Sequence, residues 1–323
     1  MQRIRIVVVL LAALLMMSGC GVGRGSAVKL EEGDPVKIGV IPVADFATVY
    51  VALDQGYFQD EGLNVQTQTM QNAAAIAPSV INGQLQFGTS AITPVITAAH
   101  KGLPVKVVSN QADVARTPEQ DVSGLFVAPD SGITRPRDLE GKTVAVNGLG
   151  AVVHVAAAAA IKADGGDPST VTFVAMAFAD MPGAVQRGDV AAASVVEPFV
   201  GMSRANGLEL IGHPFQTLVR GGSMAVLFTA GPFAEENPEV VAKMQRAMRR
   251  ASLAAQKDPE LVRRVLIERG GMKPQVVQKM KQPPYGEDVD PAVLTRDSEL
   301  MSELGFIDAP VDGASMMIAP PGN

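Results

Sequence analysis

Short runs of β-branched and aliphatic residues alternate along most of this chain with longer segments of helical periodicity. One unit combines residues 36–41 with a helical pattern around residues 49–55, and a later one combines residues 142–146 with a helix over residues 153–163. Strands separated by helices are typical of βαβ units, in which the strands run parallel in an open sheet. The sequence therefore predicts an α/β protein.

Two lobes are expected from the length of the chain and from a similarity between its two halves. About 300 residues follow Cys20, which is more than one hydrophobic core usually accommodates. Residues 37–40 and 49–52 have counterparts in residues 142–145 and 153–156, at nearly the same spacing. Two lobes of similar design would explain this repetition, although any strand-loop-helix unit would look alike.

The last third of the chain changes to helical sequence. Asn237, Asp258 and Asp290 each precede a proline, and a short polar residue before a proline is typical of a helix N-terminus. We therefore expect the C-terminal part to be mostly a helical covering.

The N-terminus has the features of an export signal. Arg3 and Arg5 precede an uninterrupted apolar run over residues 6–17, and small residues then lead to the single cysteine, Cys20. About twelve helical residues span roughly 18 Å, which is short of the ~30 Å hydrocarbon core of a bilayer. The run is thus predicted to be a cleaved leader rather than a transmembrane helix.

The junction at Cys20 resembles the lipobox of bacterial lipoproteins, in which the cysteine becomes the lipid-carrying first residue. We expect residues 1–19 to be the signal peptide, Cys20 the lipidation site and residues 20–35 a flexible tether, since residues 21–26 are rich in glycine. The protein would then be exported and anchored to the outer face of the cell membrane. A plain signal peptide with an incidental cysteine is the alternative. The absence of a second cysteine excludes disulfides within the chain and a thiolate metal site.

Composition excludes several functions. The net charge of −6 becomes −8 without Arg3 and Arg5, and no basic block is present, so nucleic acid is not an expected partner. Neither a metal nor another cofactor is predicted. The three histidines are far apart in sequence, and the Gly148-Leu149-Gly150 loop lacks the third glycine of a dinucleotide site.

Four segments of the chain together resemble one family. They are residues 56–65, residues 81–88, residues 138–146 and the Glu197-Pro198-Phe199 turn. In this order, behind an export signal, they are similar to segments of the extracytoplasmic solute-binding proteins of ABC importers. The branch is the one that contains nitrate, sulfonate, taurine and thiamine-pyrimidine-precursor binders.

The resemblance implies a two-lobed type II periplasmic-binding-protein fold with a central ligand cleft. Its C-terminal helices would pack on the first lobe, and the chain would cross between the lobes at hinges near Val127 and Leu227. Residues 36–127 and 225–323 would form the first lobe, and residues 128–224 the second. The implied partners are a small solute and the permease and ATPase subunits of an importer, with the protein itself a monomer.

Candidate ligand-binding residues follow from a physical rule, because open parallel sheets bind ligands beyond the carboxyl ends of their strands. In the first lobe the rule selects Asp45, Phe46, Thr48, Thr89, Ser90 and Asn110. In the second lobe it selects Asn147, Leu149, His154, Met181 and Glu197. A purely structural role is the alternative for each, such as a helix cap or turn for Thr89, Ser90 and Asn110, a core position for Phe46 and Leu149, and a helix N-terminus for Glu197.

Asp45 and Glu197 bear most on the charge of the solute. An acidic pair in a small cleft disfavours a bare anion such as nitrate unless cations offset it, and Arg116 and Arg220 are the candidate loop cations. The sequence therefore favours a neutral or amine-bearing organic solute, such as a heterocycle, over an oxyanion. No catalytic residue is predicted. An enzyme on the same scaffold, making a pyrimidine or menaquinone precursor, and a sensing lipoprotein that does not transport are the alternatives.

Overall fold

Two five-stranded sheets organise the part of the chain that the computed structural model describes, residues 28–71 and 73–318. The predicted leader, Cys20 and the tether up to residue 27 lie outside the described residues. The strands are β1 (Pro35–Val40), β2 (Asn64–Thr69), β3 (Phe87–Ala91), β4 (Val105–Asp113), β5 (Ser123–Val127), β6 (Thr143–Val146), β7 (Thr172–Ala175), β8 (Ala192–Val196), β9 (Glu209–Gly212) and β10 (Ser223–Ala230).

Helices connect these strands and make up most of the C-terminal part. They are α1 (Ala47–Asp54), α2 (Tyr57–Asp60), α3 (Ala73–Ile81), α4 (Ile92–His100), α5 (Val152–Ala163), α6 (Met181–Arg187), α7 (Phe199–Ala205), α8 (Gly231–Glu236), α9 (Pro238–Lys257), α10 (Pro259–Glu268), α11 (Pro274–Val277), α12 (Pro291–Glu303) and α13 (Gly313–Met316). None of the helices described is both long enough and apolar enough to cross a bilayer.

The two sheets have the same design. The first has the strand order β2-β1-β3-β10-β4 and the second the order β7-β6-β8-β5-β9. In each sheet the strand in fourth place, β10 or β5, runs antiparallel to both of its neighbours. The strands β1 and β6 therefore occupy corresponding positions, which agrees with the similarity between the two sequence units.

The chain passes between the sheets over residues 114–122, which join β4 to β5, and over residues 213–222, which join β9 to β10. The predicted hinges at Val127 and Leu227 were wrong by several residues, because both positions lie inside strands. Val127 pairs with Ala192 in the second sheet, and Leu227 lies in the middle of β10. The apolar pattern of β5 and β10 predicts strands but does not indicate to which sheet each strand belongs, so the crossings were placed within them. The second lobe begins before Ser123.

Hydrogen bonds hold the two crossings side by side. The Val114 N–H donates to the Gly222 carbonyl at 2.9 Å, and the Gly221 N–H donates to the Val114 carbonyl at 2.8 Å. The Gln216 side-chain amide donates to Asp121 Oδ2 at 2.9 Å, which adds a side-chain link between the same two segments. The lobes are thus connected through one paired region.

The C-terminal helices cover the first lobe, as expected. Helices α9 and α10 pack on α1, and α12 packs on α4. The buried face of α9 presents Met244 and Met248 to the core. Its outer face forms ion pairs with the first lobe, of which Arg246 with Glu61 is one, at 2.7 Å.

The starts of three of these helices test the capping prediction. Asp258 and Asp290 accept hydrogen bonds from N–H groups of the first turns of α10 and α12, as expected. Asn237 does not cap α9. Its Oδ1 instead accepts from the Leu30 N–H at 2.8 Å, and its Nδ2 donates to the Val28 carbonyl at 3.1 Å. The chain is therefore attached to the folded body by residues 28–30, before the predicted start at residue 36.

Candidate functional site

A cavity of about 290 Å³, called here the cleft cavity, lies between the two lobes. One wall comes from the loop after β1 and from α3 and α4, and the opposite wall comes from the loop after β6 and the start of α5. The site therefore lies at the carboxyl ends of corresponding strands of the two sheets, where open α/β sheets bind ligands. Its volume is at the lower end of the ~300–1,000 Å³ that is typical of small-molecule sites. The geometry suits a small solute.

Most of the wall of the cleft cavity is apolar, with Phe46, Phe178 and several alanines on its surface. Among the described lining residues, Asp45 and Lys101 are the charged ones. Lys101 is exposed and follows the last residue of α4, so its ammonium can remain in solvent at the rim. The buried polar chemistry of the cavity is therefore concentrated at Asp45 and at Asn147, whose side-chain Oδ1 is also buried.

Asp45 lies in a short 3₁₀ helix, Ala44–Phe46, that follows β1. The residue is 6% exposed, and its Oδ1 is buried without a hydrogen-bond partner. Burial raises the pKa of this carboxyl to about 7, and the nearby carboxylates of Asp121 and Glu197 add to the shift. An unsatisfied buried carboxylate is costly, and groups of this kind concentrate at functional sites.

Glu197 is close to Asp45 but has a different environment. It is 1% exposed, its Oε2 accepts from the Gly201 N–H at 3.1 Å, and its Oε1 accepts from the Lys281 N–H at 3.3 Å. Burial raises the pKa of Glu197 as well. Because both oxygens are used by the backbone and the side chain does not line the cavity, its position fits the structural alternative of holding the start of α7.

Tyr285 completes the surroundings of Asp45 from the C-terminal segment. Its hydroxyl donates to the Ala44 carbonyl at 3.3 Å, one residue before Asp45. Burial, together with the neighbouring Asp45 carboxyl, raises the pKa of Tyr285 well above its usual value. The tyrosine therefore remains neutral, and its one proton is directed at the backbone and not at Asp45.

Four of the predicted ligand residues line the cleft cavity, two from each lobe: Asp45, Phe46, Asn147 and Leu149. Leu149 is 66% exposed, so it is not a core residue. Phe46 is 3% exposed and contributes to both the wall and the core. The residues selected by the strand-end rule that line the cleft cavity are therefore those in the loops after β1 and β6.

Other predicted residues lie behind the cavity wall. The Thr48 hydroxyl donates to Gln111 Oε1 at 2.6 Å, and Thr89 Oγ1 accepts from the Ile41 N–H at 3.1 Å. Ser90 donates to the carbonyl of its neighbour Ala91 at 2.7 Å. These hydrogen bonds fix the strands and loops from which the wall is built.

Asn110 and Met181 are also placed away from the cavity surface. Asn110 Nδ2 donates to Asp113 Oδ1 at 2.6 Å and to the Asp288 carbonyl at 3.1 Å, while Met181 is fully buried at the start of α6. Both belong to the framework of their lobes.

His154 lines a separate hollow between the second lobe and the C-terminal segment. Its ring packs on Phe173 at 4.2 Å and on Phe306 at 4.7 Å, and its Nδ1 accepts from the Gly150 N–H at 2.9 Å. Burial lowers the pKa of this imidazole to about 4, so it is neutral near pH 7. The ring stabilises the loop after β6 and does not face the cleft cavity.

The two candidate cations of the sequence lie outside the cleft cavity. The Arg116 guanidinium packs against Gly221 in the paired crossings, and the exposed Arg220 donates to the Gln216 carbonyl at 3.5 Å. Neither arginine lines the cavity. Among the described residues, the cation that does line the cavity is Lys101 at the rim.

Several lining residues were not predicted. Ala73, Ala74 and Ala77 belong to α3, whose short alanine-rich sequence is a usable helix signal that the strand-end rule ignores. Phe178 lies in the connection between β7 and α6, and it stacks on Phe199 with 5.1 Å between the ring centroids. Phe178 lies beyond the carboxyl end of β7, which is Ala175, so the strand-end rule covers its position.

The two lobes touch at the edge of the cleft cavity. The Thr93 hydroxyl, at the start of α4, donates to the Gly150 carbonyl of the second lobe at 3.1 Å. Farther out, Lys162 of α5 forms an ion pair with Glu303 of α12 at 2.8 Å. The two sides of the cleft are therefore in contact with each other.

This two-lobed architecture is the fold of periplasmic binding proteins. The alkanesulfonate-binding protein SsuA of Xanthomonas axonopodis pv. citri, bound to MOPS, superposes with a TM-score of 0.75 at 16% identity, over 90% of this chain and 99% of that chain. The periplasmic aliphatic sulphonate binding protein SsuA of Escherichia coli has a TM-score of 0.72 at 17% identity, over 90% of this chain and 94% of its own.

The chain belongs to the NMT1/THI5-like family, whose model matches residues 43–261. The formylaminopyrimidine-binding protein of Halalkalibacterium halodurans is 28% identical over 75% of this chain and 72% of that protein. The riboflavin-binding protein RibY of Chloroflexus aurantiacus is 26% identical over 84% of this chain and 81% of its own length. A 4-amino-5-hydroxymethyl-2-methylpyrimidine phosphate synthase of Aspergillus parasiticus is 25% identical over 64% and 61%, respectively.

Proposed function

We propose that this protein is the solute-binding component of an ABC importer, which captures a small organic solute between its two lobes and delivers it to a membrane permease. The observation that carries the proposal is the cleft cavity itself, whose walls come from both lobes and whose interior contains a buried, unpartnered carboxylate oxygen at Asp45. A solute that contacts both walls stabilises the closed arrangement by its differential contacts.

The chemistry of the lining supports binding over catalysis. The described lining residues include no histidine, cysteine or serine, and their titratable side chains are Asp45 and Lys101, of which Lys101 is exposed at the rim. The described residues also contain no group of three acidic, histidine or cysteine side chains that could hold a metal ion. The names of the binding-protein relatives point in the same direction.

A thermal-shift screen of the purified protein tests this function. The panel contains pyrimidines, flavins, amines, sulfonates, taurine and nitrate. A saturating solute raises the free energy of unfolding by RT ln(1 + [L]/Kd), about 2.7 kcal/mol at a hundredfold excess over Kd. We expect at least one class of solute to raise the melting temperature, and isothermal titration to give one site per chain. Failure of every class to bind would contradict the proposed function.

The synthase relative makes an enzyme on the same scaffold the second candidate. Incubating the protein with the solute that it binds, followed by mass spectrometry of the recovered solute, distinguishes the two. We expect the solute to be recovered unchanged. A chemically altered product that accumulates beyond one equivalent per chain would favour the enzyme.

Export and lipid anchoring at Cys20 belong to the same proposal. The apolar run before Cys20 and the glycine-rich segment after it are the supporting sequence features. Metabolic labelling with a radioactive fatty acid should mark the wild-type protein but not a Cys20→Ala variant. A wild-type chain that is exported without label would remove the anchor from the proposal and leave solute binding unaffected.

A further inference from the structure

We propose that the solute of this protein carries N–H donors on two sides, one bound by the Asp45 carboxylate of the first lobe and the other by the Asn147 side-chain oxygen of the second. The inference rests on the proposed function and specifies the class of solute. Asp45 and Asn147 would then recognise the solute from opposite walls of the cleft cavity.

Neither oxygen has a hydrogen-bond partner among the described residues. Asp45 Oδ1 and Asn147 Oδ1 are both buried, and Asp45 as a whole is only 6% exposed. Buried polar atoms are nearly always satisfied, so two unsatisfied acceptors that line the same cavity indicate donors on the missing occupant.

The groups that face Asp45 cannot supply the missing donor. Asp121 and Glu197 are acidic, and each already accepts hydrogen bonds from its own surroundings. The Tyr285 hydroxyl donates to the Ala44 carbonyl, and Lys101 is exposed at the rim. A carboxylate in this position therefore favours a neutral or cationic N–H group over an anion, which would be repelled by three neighbouring acids.

The two acceptors also lie in corresponding places. Asp45 follows β1 and Asn147 follows β6, and these strands have the same position in the two sheets. A solute that donates to both forms one hydrogen bond with each lobe. Bridging of this kind stabilises the closed arrangement in a way that a solute held by one lobe does not.

Isothermal titration of the purified protein with small solutes graded by donor number tests the inference. The series contains pyrimidine, 4-aminopyrimidine and 2,4-diaminopyrimidine, together with amidines and diamines, and the anion arm contains methanesulfonate and nitrate. We expect the tightest binders to carry two N–H donors. The helix N-terminus of α5 also borders the cavity, so binding by the donor-free anions alone would overturn the inference and leave the proposed function standing. If no compound of this series binds, the inference fails, and the broader thermal-shift panel decides the proposed function separately.

Two variants test the assigned residues. Asp45→Asn replaces the carboxylate by a weaker, neutral acceptor, and Asn147→Leu removes its acceptor altogether. Each should weaken the best two-donor solute by about tenfold or more, which corresponds to about one good hydrogen bond. Asp297→Asn is the matched control, because Asp297 is also a buried aspartate with an unpartnered Oδ1 but lies on α12 outside the cavity. An equal loss in the Asp297→Asn variant, or unchanged affinity in Asp45→Asn, would contradict the assignment.

The direction of the pH dependence gives an independent readout. Because burial raises the pKa of Asp45 to about 7, affinity for a donor-bearing solute that does not itself titrate should rise about tenfold between pH 6 and pH 8. The Asp45→Asn variant should show no such rise. Affinity that falls with increasing pH would instead indicate an anion and overturn the inference.

Discussion

At the scale of single residues, the ionised carboxyl of Asp45 has opposite effects: it is proposed to bind the solute, and it lowers the stability of the folded protein. Its pKa is raised from 3.8 to about 7, so the folded protein binds a proton more readily than the unfolded chain over this interval. The contribution of Asp45 to stability is therefore present below about pH 4 and is lost as the pH rises towards 7. Asp297, whose pKa burial also raises to about 7, behaves in the same way.

Replacing either aspartate with asparagine removes a buried charge and should stabilise the protein at high pH. We expect Asp45→Asn and Asp297→Asn each to raise the free energy of unfolding at pH 8 by roughly 1–4 kcal/mol, and to have little effect at pH 4. Urea unfolding at the two pH values measures this difference. A gain of equal size at both pH values would show that charge is not its cause.

Glu197 should affect stability more than solute affinity. Replacement by alanine leaves the N–H groups of Gly201 and Lys281 without their acceptor, so we expect a loss of roughly 2–4 kcal/mol in the free energy of unfolding. Denaturant unfolding measures the loss, and titration with the bound solute is the companion experiment. Unchanged stability with abolished binding would place Glu197 in the site.

The residues of the cleft could be predicted from sequence only where strand ends were located correctly. Asp45 and Asn147 follow strands whose ends are marked by proline or glycine loops, and both line the cavity. Thr89, Ser90 and Asn110 were selected as residues beyond strands, but β3 continues to Ala91 and β4 to Asp113. Their polar side chains look like loop residues in sequence, while hydrogen bonds within the lobe hold them in the sheet.

At the scale of elements, the contact between α4 and the loop after β6 is a point where the two lobes act on each other. Thr93→Val keeps the shape of the side chain and removes the hydroxyl that donates to Gly150. We expect solute affinity to fall about threefold to tenfold, mainly through faster dissociation, because a hydrogen bond contributes about 1 kcal/mol. Stopped-flow release of the solute measures it.

Thr170→Val is the control for this substitution, since the Thr170 hydroxyl donates to the Asp167 carbonyl beside its own 3₁₀ turn and not to the other lobe. Its solute affinity and dissociation rate should remain those of the wild-type protein. Equal dissociation rates for the Thr93 and Thr170 variants would show that the contact between lobes does not affect release.

Elements with strong local signals were predicted well. Helices α9, α10 and α12 begin at the prolines that the sequence marks. The strands β2 and β9 were not predicted. Both are at sheet edges, where exposed polar residues interrupt the apolar pattern and the pairing partner, which is distant in sequence, decides the structure.

At the scale of the whole molecule, the paired crossings are where the chain connects the two lobes. Gly221 has a φ of +70°, and a Cβ there would lie 2.7 Å from the Arg116 guanidinium carbon. We expect Gly221→Ala to lower the free energy of unfolding by roughly 1–3 kcal/mol and to weaken solute binding, because alanine is strained at this positive φ and the Arg116 side chain must move away from the crossing. Thermal unfolding and isothermal titration measure the two effects.

Gly132→Ala separates backbone strain from crowding, since Gly132 has a similar φ of +73° and nothing within 4 Å of its added Cβ. This variant should lose only the stability that an alanine costs at positive φ, and it should keep its solute affinity. Equal effects of the two substitutions on affinity would show that the crossing does not govern binding.

The pairing of the crossings also has a consequence for how such a protein can change in evolution. Asp121 and Gln216 are in contact, so the polypeptide that forms the second lobe enters and leaves the first at a single point. A segment with adjacent ends can be exchanged as one cassette without cutting the sheet that remains. Because each lobe contributes its own wall and its own acceptor, replacing that cassette would alter half of the recognition surface while Asp45 and the C-terminal helices stay in place.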